Sequence, residues 1–233
     1  MDIRICNEHE VDDTRLAALY DEVLAPSFPP SELVTRVEFL DAVTDPVSDT
    51  CAFVALDATG EVVGGIVGEW FAECRVLLAS YVAVAPGLRG GGIGRRLITE
   101  SLTRWWSRFS PLLIVGEVED PRVHPATEYG DPVARLRLYD GLGALILPVP
   151  YFQPALHKDA DRVRGLLLMV FAASPADRSD GYVDASVVRG FLEQNLLACE
   201  GRIDPDDEEI GALRAAVDRA DRIPMLAPRQ YLA

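Results

Sequence analysis

A glycine-rich stretch flanked by arginines has the residue types of an anion-binding loop. Between Ser80 and Leu97 the sequence reads SYVAVAPGLRGGGIGRRL. A buried strand is predicted over 81–85, followed by a turn at Pro86-Gly87, a glycine loop and a helix that begins near Gly92. Because glycine has no Cβ, backbone N–H groups in such a loop can approach a bulky ligand. The N-terminus of the following helix adds unpaired N–H donors and the positive end of its dipole, so the stretch predicts an anion site.

Fixed positive charge surrounds this loop in a chain that is otherwise acidic. The formal net charge is −15, yet the segment 88–108 contains five arginines and one glutamate. The arginines are Arg89, Arg95, Arg96, Arg104 and Arg108. A basic island in an acidic protein favours a polyanionic ligand over a general solubility surface.

The spacing of the glycines narrows the class of anion. A P-loop needs Gly-Lys-Ser/Thr, and neither lysine nor hydroxyl follows Gly94; a dinucleotide fingerprint counted from Gly90 meets Arg95 where its third glycine belongs. The segment Arg89-Gly90-Gly91-Gly92-Ile93-Gly94 instead resembles the R/Q-x-x-G-x-G/A motif of the GNAT N-acetyltransferases. The preceding V-A-V-A-P and the following R-R-L-I are also similar to that family. The alternative is a glycine turn that only joins a strand to a helix.

The resemblance implies a cofactor and the residues that contact it. In the family this loop wraps the pyrophosphate of acetyl-coenzyme A, and the preceding strand pairs with the pantetheine amides. Acetyl-CoA is therefore the expected acyl donor, attacked directly by a substrate amine while the N–H of Val82 or Val84 stabilises the oxyanion. The cofactor-binding residues implied are Val82, Ala83, Val84, Arg89, Gly90, Gly91, Gly92, Ile93, Gly94 and Arg95.

A tyrosine further along the chain matches a second part of the family pattern. Family members carry a tyrosine closely followed by glycine on the helix after the fifth strand, and Leu138-Tyr139-Asp140-Gly141 occupies that place here. The resemblance implies that Tyr139 donates a proton to the departing thiolate, a role suited to a phenol of pKa near 10. The family's asparagine before this helix is absent, since Pro132 falls near its position. A core tyrosine bonded to a backbone carbonyl is the alternative.

The general base does not follow from the resemblance. Leu78 stands where some family members have a glutamate on the central strand. Glu117 and Glu119 close the adjacent predicted strand and, being two residues apart, point to the same side, so they are candidate bases facing a cleft. Ordinary exposed carboxylates at a strand end are the alternative for both. His124, in the proline-broken loop 119–130, is a further candidate.

The acceptor is expected to be a small-molecule or peptide amine of unidentified structure. Glu69 and Glu73, near the end of the third strand, are candidates for neutralising a cationic acceptor. Tyr151-Phe152 could line its pocket or plug the end of a strand. A non-catalytic acyl-CoA-binding sensor or interaction module is the alternative from another functional class.

Composition bounds the remaining possibilities. The 233 residues, 49% hydrophobic, suffice for one large domain or a domain of roughly 150 residues with an appendage. The acidic balance argues against nucleic acid, and no run approaches the ~20 apolar residues of a membrane span. The start MDIRICNEHEVDD lacks an export signal, which predicts a cytoplasmic protein. Four scattered cysteines, at 6, 51, 74 and 199, are expected to be reduced core thiols rather than metal ligands.

Hydrophobic periodicity predicts a fold of class α/β (α+β), with helices packed on a mixed sheet. The resemblance implies a mostly antiparallel sheet, splayed where two parallel strands separate. Strands are predicted at 2–6, 51–56, 62–70, 76–85, 112–118, 144–149 and 164–171. Helices are predicted at 14–24, from a cap at Ser31 to Asp45-Pro46, from 92 to 108, and from Pro132 to Gly141.

The composition changes after residue 173. A linker is predicted over 174–181, followed by helices at 185–197 and 205–222, the second with Asp204 as N-cap and Pro205 at its first position. The acidic run 206–209 suits the start of that helix. The predicted organisation is therefore a GNAT-like domain over 1–173 and a C-terminal helical extension over 174–233, which gates the acceptor site or forms a homodimer interface.

Overall fold

The computed structural model describes residues 2–157 and 160–232. Seven strands form one sheet in the order β1-β2-β3-β4-β5-β7-β6, and two short strands, β8 and β9, form a second. The strands are β1 Ile3–Asn7, β2 Thr50–Asp57, β3 Val62–Phe71, β4 Val76–Val84, β5 Leu113–Glu119, β6 Leu145–Leu147, β7 Leu166–Ala173, β8 Tyr182–Asp184 and β9 Arg222–Pro224. The α/β class with a mostly antiparallel sheet flanked by helices is thereby confirmed.

The α-helices are α1 Asp13–Ala18, α2 Arg36–Thr44, α3 Ile93–Phe109, α4 Pro132–Asp140, α5 Pro175–Asp180, α6 Ala185–Glu200 and α7 Glu208–Val217. A π-helical turn, Leu19–Leu24, continues α1, and short 3-10 turns lie at Glu8–Glu10, Pro30–Glu32 and Pro228–Tyr231. Among the described residues, no helix has both the length and the apolar character to cross a membrane.

The chain folds as two compact units. The first contains the residues up to 70 together with 78–109, and the second contains 71–77 together with the residues from 110 onward. The segment after 173 lies in the second unit with β5, β6 and β7. The domain boundary at residue 173 stays a prediction.

In the first unit, β1, β2 and β3 form an antiparallel ladder with packing on both faces. Leu19 packs where a Cβ on Gly65 would lie, at 2.2 Å from the leucine Cδ1, so only glycine admits this leucine over β3. The resulting core also contains Leu16, Phe39 and Val54, all buried. Fully buried Trp105 of α3 packs on Phe53 of β2, with ring centroids 5.5 Å apart, so this tryptophan joins the helix to the sheet.

In the second unit, β7 pairs antiparallel with both β5 and β6. Glu117 lies opposite Leu168, and Glu119 opposite Leu166. The C-terminal region joins this unit through a bridge between Ile146 and Leu226 and through ring contact of Phe71 with Phe191 on α6. Residues far apart in sequence therefore build one core around β7.

Two helices in the first half of the chain differ from the predictions, one in where it begins and one in its helix type. Ser31 lies in a 3-10 turn, and α2 begins only after Thr35, whose hydroxyl accepts a bond from the Glu38 N–H while Glu38 bonds back to the Thr35 N–H. This reciprocal capping box satisfies two backbone donors, whereas Ser31 follows two prolines and has no such partner three residues on. The predicted helix 14–24 is α-helical only to Ala18.

The C-terminal region has more regular structure than predicted. The predicted linker contains α5, because Ser174 caps the Asp177 N–H and Pro175 occupies the first helical position. Helix α7 begins at Glu208 with Asp207, not Asp204, as its N-cap, since the Asp207 carboxylate accepts both the Glu209 and Ile210 N–H groups. The residues expected to end that helix instead form β9, which pairs with β8.

Candidate active site

The glycine loop leaves β4 at Val84 and reaches α3 at Ile93 through a backbone that only glycine adopts readily. Gly87, Gly90 and Gly92 have φ of 85°, 85° and 82°. These angles lie in the left-handed region, where a Cβ clashes with the backbone. The predicted strand–loop–helix order is thus present, and the first N–H groups of α3 lack intrahelical acceptors.

The space around this loop is open. A Cβ added to Gly87, Gly90 or Gly92 would meet no heavy atom within 4 Å, and Arg89 and Gly90–Gly92 are exposed. The glycines are therefore required by backbone conformation, and the room beside them is available to a ligand. A pyrophosphate would have space beside these glycines, and the N-terminus of α3 would supply N–H donors to its oxygens.

The start of α3 approaches the sheet closely because of a glycine that sequence reasoning did not single out. A Cβ on Gly64 of β3 would lie 3.0 Å from the Ala83 carbonyl oxygen and 3.6 Å from Ile93 Cγ2. On the helix side, a Cβ on Gly94 would make an ordinary contact with Val84 at 3.5 Å. The signal in the sequence is the pair Gly64-Gly65 inside a strand, where glycine marks close approach.

The arginines that suggested a basic island have different environments. Arg104 donates to Glu10 at 3.0 Å, Arg108 to Glu8 at 2.9 Å, and Arg96 to Glu100 at 2.5 Å. Only the last partner is visible in the local sequence, because Glu8 and Glu10 come from nearly a hundred residues away. The local positive balance is therefore smaller than the sequence indicated.

Arg89 and Arg95 are the remaining arginines beside the loop. Both are exposed, and Arg89 Nη2 donates to the Ser27 hydroxyl at 3.2 Å. Of the β4 residues expected to meet the cofactor, Ala83 is buried, whereas Val82 and Val84 are partly exposed. One unit thus holds all the residues implied for cofactor binding.

Tyr139 lies on α4 in the second unit. It is 6% exposed and meets Phe171 edge to face, with centroids 5.0 Å apart. Burial raises the pKa of Tyr139, and the nearby charge of Arg135 partly offsets this. Among residues 2–157 and 160–232, none hydrogen-bonds the Tyr139 hydroxyl, so the carbonyl partner expected of a core tyrosine is not found there.

Glu117 is held by a chain of hydrogen bonds that the sequence did not predict. The hydroxyl of Tyr151 donates to Glu117 Oε1, and Asn195 Nδ2 donates to the Tyr151 hydroxyl oxygen at 3.3 Å. Tyr151 and Asn195 are buried, while Glu117 is partly exposed. Asn195 belongs to α6, so the C-terminal extension supports a candidate base on β5.

Glu119 has a charged partner of its own. Arg135 Nη2 donates to Glu119 Oε2, and its Nε is buried without a partner among the described residues. His124 bonds the Arg164 carbonyl oxygen through Nε2 at 2.9 Å, which requires that nitrogen to carry the proton. The structure therefore brings Glu119 and Tyr139 to the surroundings of one arginine and engages His124 in a backbone contact.

Glu69 and Glu73 differ sharply. Glu69, at the end of β3, is partly buried and accepts a hydrogen bond from the Ser80 hydroxyl at 2.8 Å. Burial raises its pKa, and the bond from Ser80 opposes this. Glu73 is exposed in the turn after β3.

Comparison with solved structures shows the class of fold. A protein from Bacteroides thetaiotaomicron assigned to the GNAT acetyltransferases is 21% identical, with a TM-score of 0.56 over 83% of this chain and 97% of that one. Mutant forms of the spermidine/spermine N-acetyltransferase SpeG from Vibrio cholerae are 16% identical, with a TM-score of 0.52 over 72% and 93%. A protein described as a phosphinothricin N-acetyltransferase is 18% identical, with a TM-score of 0.51 over 74% of this chain and 99% of that one. Because all three proteins are less than 25% identical to this chain, their similarity shows a shared fold only.

A family model matches part of the sequence. Residues 48–140 match the family model described as the acetyltransferase (GNAT) domain. A search of curated proteins found no match. The matched segment, which runs from before β2 to the end of α4, is similar to the GNAT acetyltransferases and includes both the glycine loop and Tyr139.

Proposed function

We propose that this acetyltransferase moves an acetyl group from acetyl-CoA to an amine by direct attack. The observation that carries the proposal is the glycine loop, with its left-handed glycines, open space and following helix N-terminus. A polyphosphate ester is the ligand such a loop accommodates best, because its oxygens can accept bonds from several backbone N–H groups at once. Residues Arg89–Arg95 would hold the pyrophosphate, and Val82–Val84 the pantetheine arm.

When bound, acetyl-CoA supplies a thioester carbonyl carbon that an amine nitrogen can attack. Tyr139 is proposed to give its phenolic proton to the sulfur as the carbon–sulfur bond breaks. Its raised pKa keeps the hydroxyl protonated at neutral pH, and no other described group holds that proton in a hydrogen bond. No covalent enzyme intermediate is required.

Glu117 is proposed to take the proton that the amine loses. Tyr151 fixes the position of one carboxylate oxygen, and Glu117 is partly exposed. Glu119, the other candidate base, forms an ion pair with Arg135, so its carboxylate is already engaged within the protein. We therefore assign the proton transfer to Glu117 and a role in orienting Arg135 to Glu119.

The transfer is tested by mass spectrometry of a pooled amine library incubated with the protein and acetyl-CoA. We expect one class of amine to gain the mass of an acetyl group with the wild type, and the Glu117→Gln variant to form this product roughly a hundredfold more slowly. The control is Glu61→Gln, which removes the same negative charge at an exposed position just before β3. Retention of CoA without any product from wild-type protein would contradict transfer and favour a sensor.

A further inference from the structure

Glu69 is a partly buried carboxylate that has no cation partner among the described residues. Its only hydrogen-bond partner among the described residues is the Ser80 hydroxyl, which donates to Oε1 at 2.8 Å. Part of its surface remains accessible. The second oxygen, Oε2, is thus left without a protein donor in the part of the chain that the structure describes.

Four other carboxylates of low exposure are each paired with an arginine. The pairs are Glu8 with Arg108, Asp120 with Arg122, Glu119 with Arg135 and Glu200 with Arg162. Among the described residues, no cation pairs with Glu69, and its pKa is raised by burial without any offset from a positive charge. Burying a carboxylate without a cation costs free energy, so such a group calls for a partner that the protein does not supply.

The position of Ser80 connects this carboxylate to the cofactor strand. Ser80 precedes Val84, the last residue of β4, by four residues. The pantetheine arm runs about a dozen bonds from its phosphate oxygen to sulfur, a length of about four extended residues or roughly 13 Å. If the pyrophosphate were held at the loop and the arm lay along β4, the thioester end would reach the level of Ser80.

We propose that Glu69 binds the protonated amine of the acceptor, with Ser80 orienting its carboxylate, so that the protein selects alkylammonium compounds over neutral amines and alcohols. This inference rests on the proposed function, because only a CoA bound along β4 makes the site one for the acceptor. Oε2 accepts an N–H of the ammonium ion while Ser80 occupies Oε1.

The test is an amide NMR titration of the full chain saturated with CoA, using butylammonium chloride as the probe and butanol as its neutral counterpart. We expect saturable shifts at the Glu69 and Ser80 amides with butylammonium only. Glu69→Gln should weaken this binding at least tenfold, whereas Glu61→Gln should leave it unchanged. The proposal would be overturned by any of three results. Butanol could shift the Glu69 and Ser80 amides as much as butylammonium does, the Glu69→Gln variant could bind butylammonium as tightly as the wild type, or the wild type could show no saturable shift.

Thermal unfolding distinguishes a ligand site from a structural carboxylate. If Glu69 serves a ligand, Glu69→Gln keeps the Ser80 bond, removes a buried charge and raises Tm; a lower Tm would show a structural role and overturn the proposal. The proposed function can fail separately. If wild-type protein binds butylammonium but acetylates no amine, the proposed acetyl transfer is contradicted. If it acetylates an amine but does not bind butylammonium, the proposed role of Glu69 is contradicted.

Discussion

The residues of the candidate site are held in position by different kinds of interaction. Gly87, Gly90 and Gly92 are fixed by backbone conformation, which the motif itself encodes. Glu117 is fixed by Tyr151 and Asn195, contacts that only the folded chain creates. The spacing of the sequence could therefore predict the loop. It could not reveal the neighbours on which our proposal of Glu117 over Glu119 rests, because Tyr151 and Arg135 lie 34 and 16 residues away.

Replacing Tyr139 by phenylalanine tests the proposed acid. Phenylalanine keeps the edge-to-face contact with Phe171 and removes a hydroxyl that has no hydrogen bond among the described residues. We expect kcat to fall about 10²–10⁴-fold, with CoA affinity and Tm unchanged. Steady-state kinetics and calorimetry measure these quantities, and Tyr182→Phe, at a 45% exposed position, is the control. Unchanged kcat would remove Tyr139 from the mechanism.

The raised pKa of Glu69 gives stability a defined dependence on pH. Burial makes the folded protein hold this proton more tightly than the unfolded chain, so ionisation of Glu69 destabilises the fold. The destabilisation is absent below the unfolded pKa, grows between the two pKa values and is complete above the folded one. Glu69→Gln should therefore raise Tm most at high pH, and the difference from wild type should shrink as the pH falls towards 4. A constant difference would contradict an elevated pKa.

At the scale of elements, the helices of the C-terminal region depend on one arginine. Arg162 is 13% exposed; it donates to Glu200 of α6 through Nε and Nη2, both at 2.7 Å, and to Asp207, the cap of α7, at 2.8 Å. It also lies over the Phe152 ring, 4.6 Å from the centroid. These bonds raise the pKa of Arg162 and lower the pKa of Glu200. The pKa of Asp207 is lowered first by the hydrogen bond from the Ile210 N–H and further by Arg162.

Arg162→Ala should destabilise the protein by about 3 kcal/mol, because it leaves two carboxylates without their cation. Arg189→Ala breaks an exposed pair with Asp218 and should cost less than about 1 kcal/mol. Urea unfolding of both variants measures the contrast. Equal free energies of unfolding would show that the Arg162 cluster contributes no more than a surface ion pair.

Element boundaries show where sequence reasoning succeeds. Helix α3 and strand β3 were predicted within one residue at each end, because an apolar period of 3.6 or a continuous apolar run defined them. The start of α7 was misplaced because four acidic residues in succession offer several caps. Only the bonds that Asp207 makes, to two N–H groups and to Arg162, select one of them.

At the scale of the whole molecule, the family and the fold class could be predicted because the loop motif and hydrophobic periods are local properties. Strands β8 and β9 could not, since each has three residues and they pair across about forty residues of intervening chain. The neutralisation of Arg104 and Arg108 by the N-terminal region escaped prediction for the same reason. Ion pairs between residues far apart in sequence determine which part of the surface is basic, and such pairs cannot be predicted from a local sequence pattern.

Binding of CoA at the glycine loop is the central claim, and isothermal titration calorimetry tests it most directly. We predict stoichiometric binding to the wild type, about tenfold weaker binding to Arg95→Ala, which lacks one exposed charge beside the loop, and unchanged binding to Arg219→Ala, an exposed arginine beyond α7. Absence of CoA binding to the wild type, or equal affinity of both variants, would contradict the assignment of this loop.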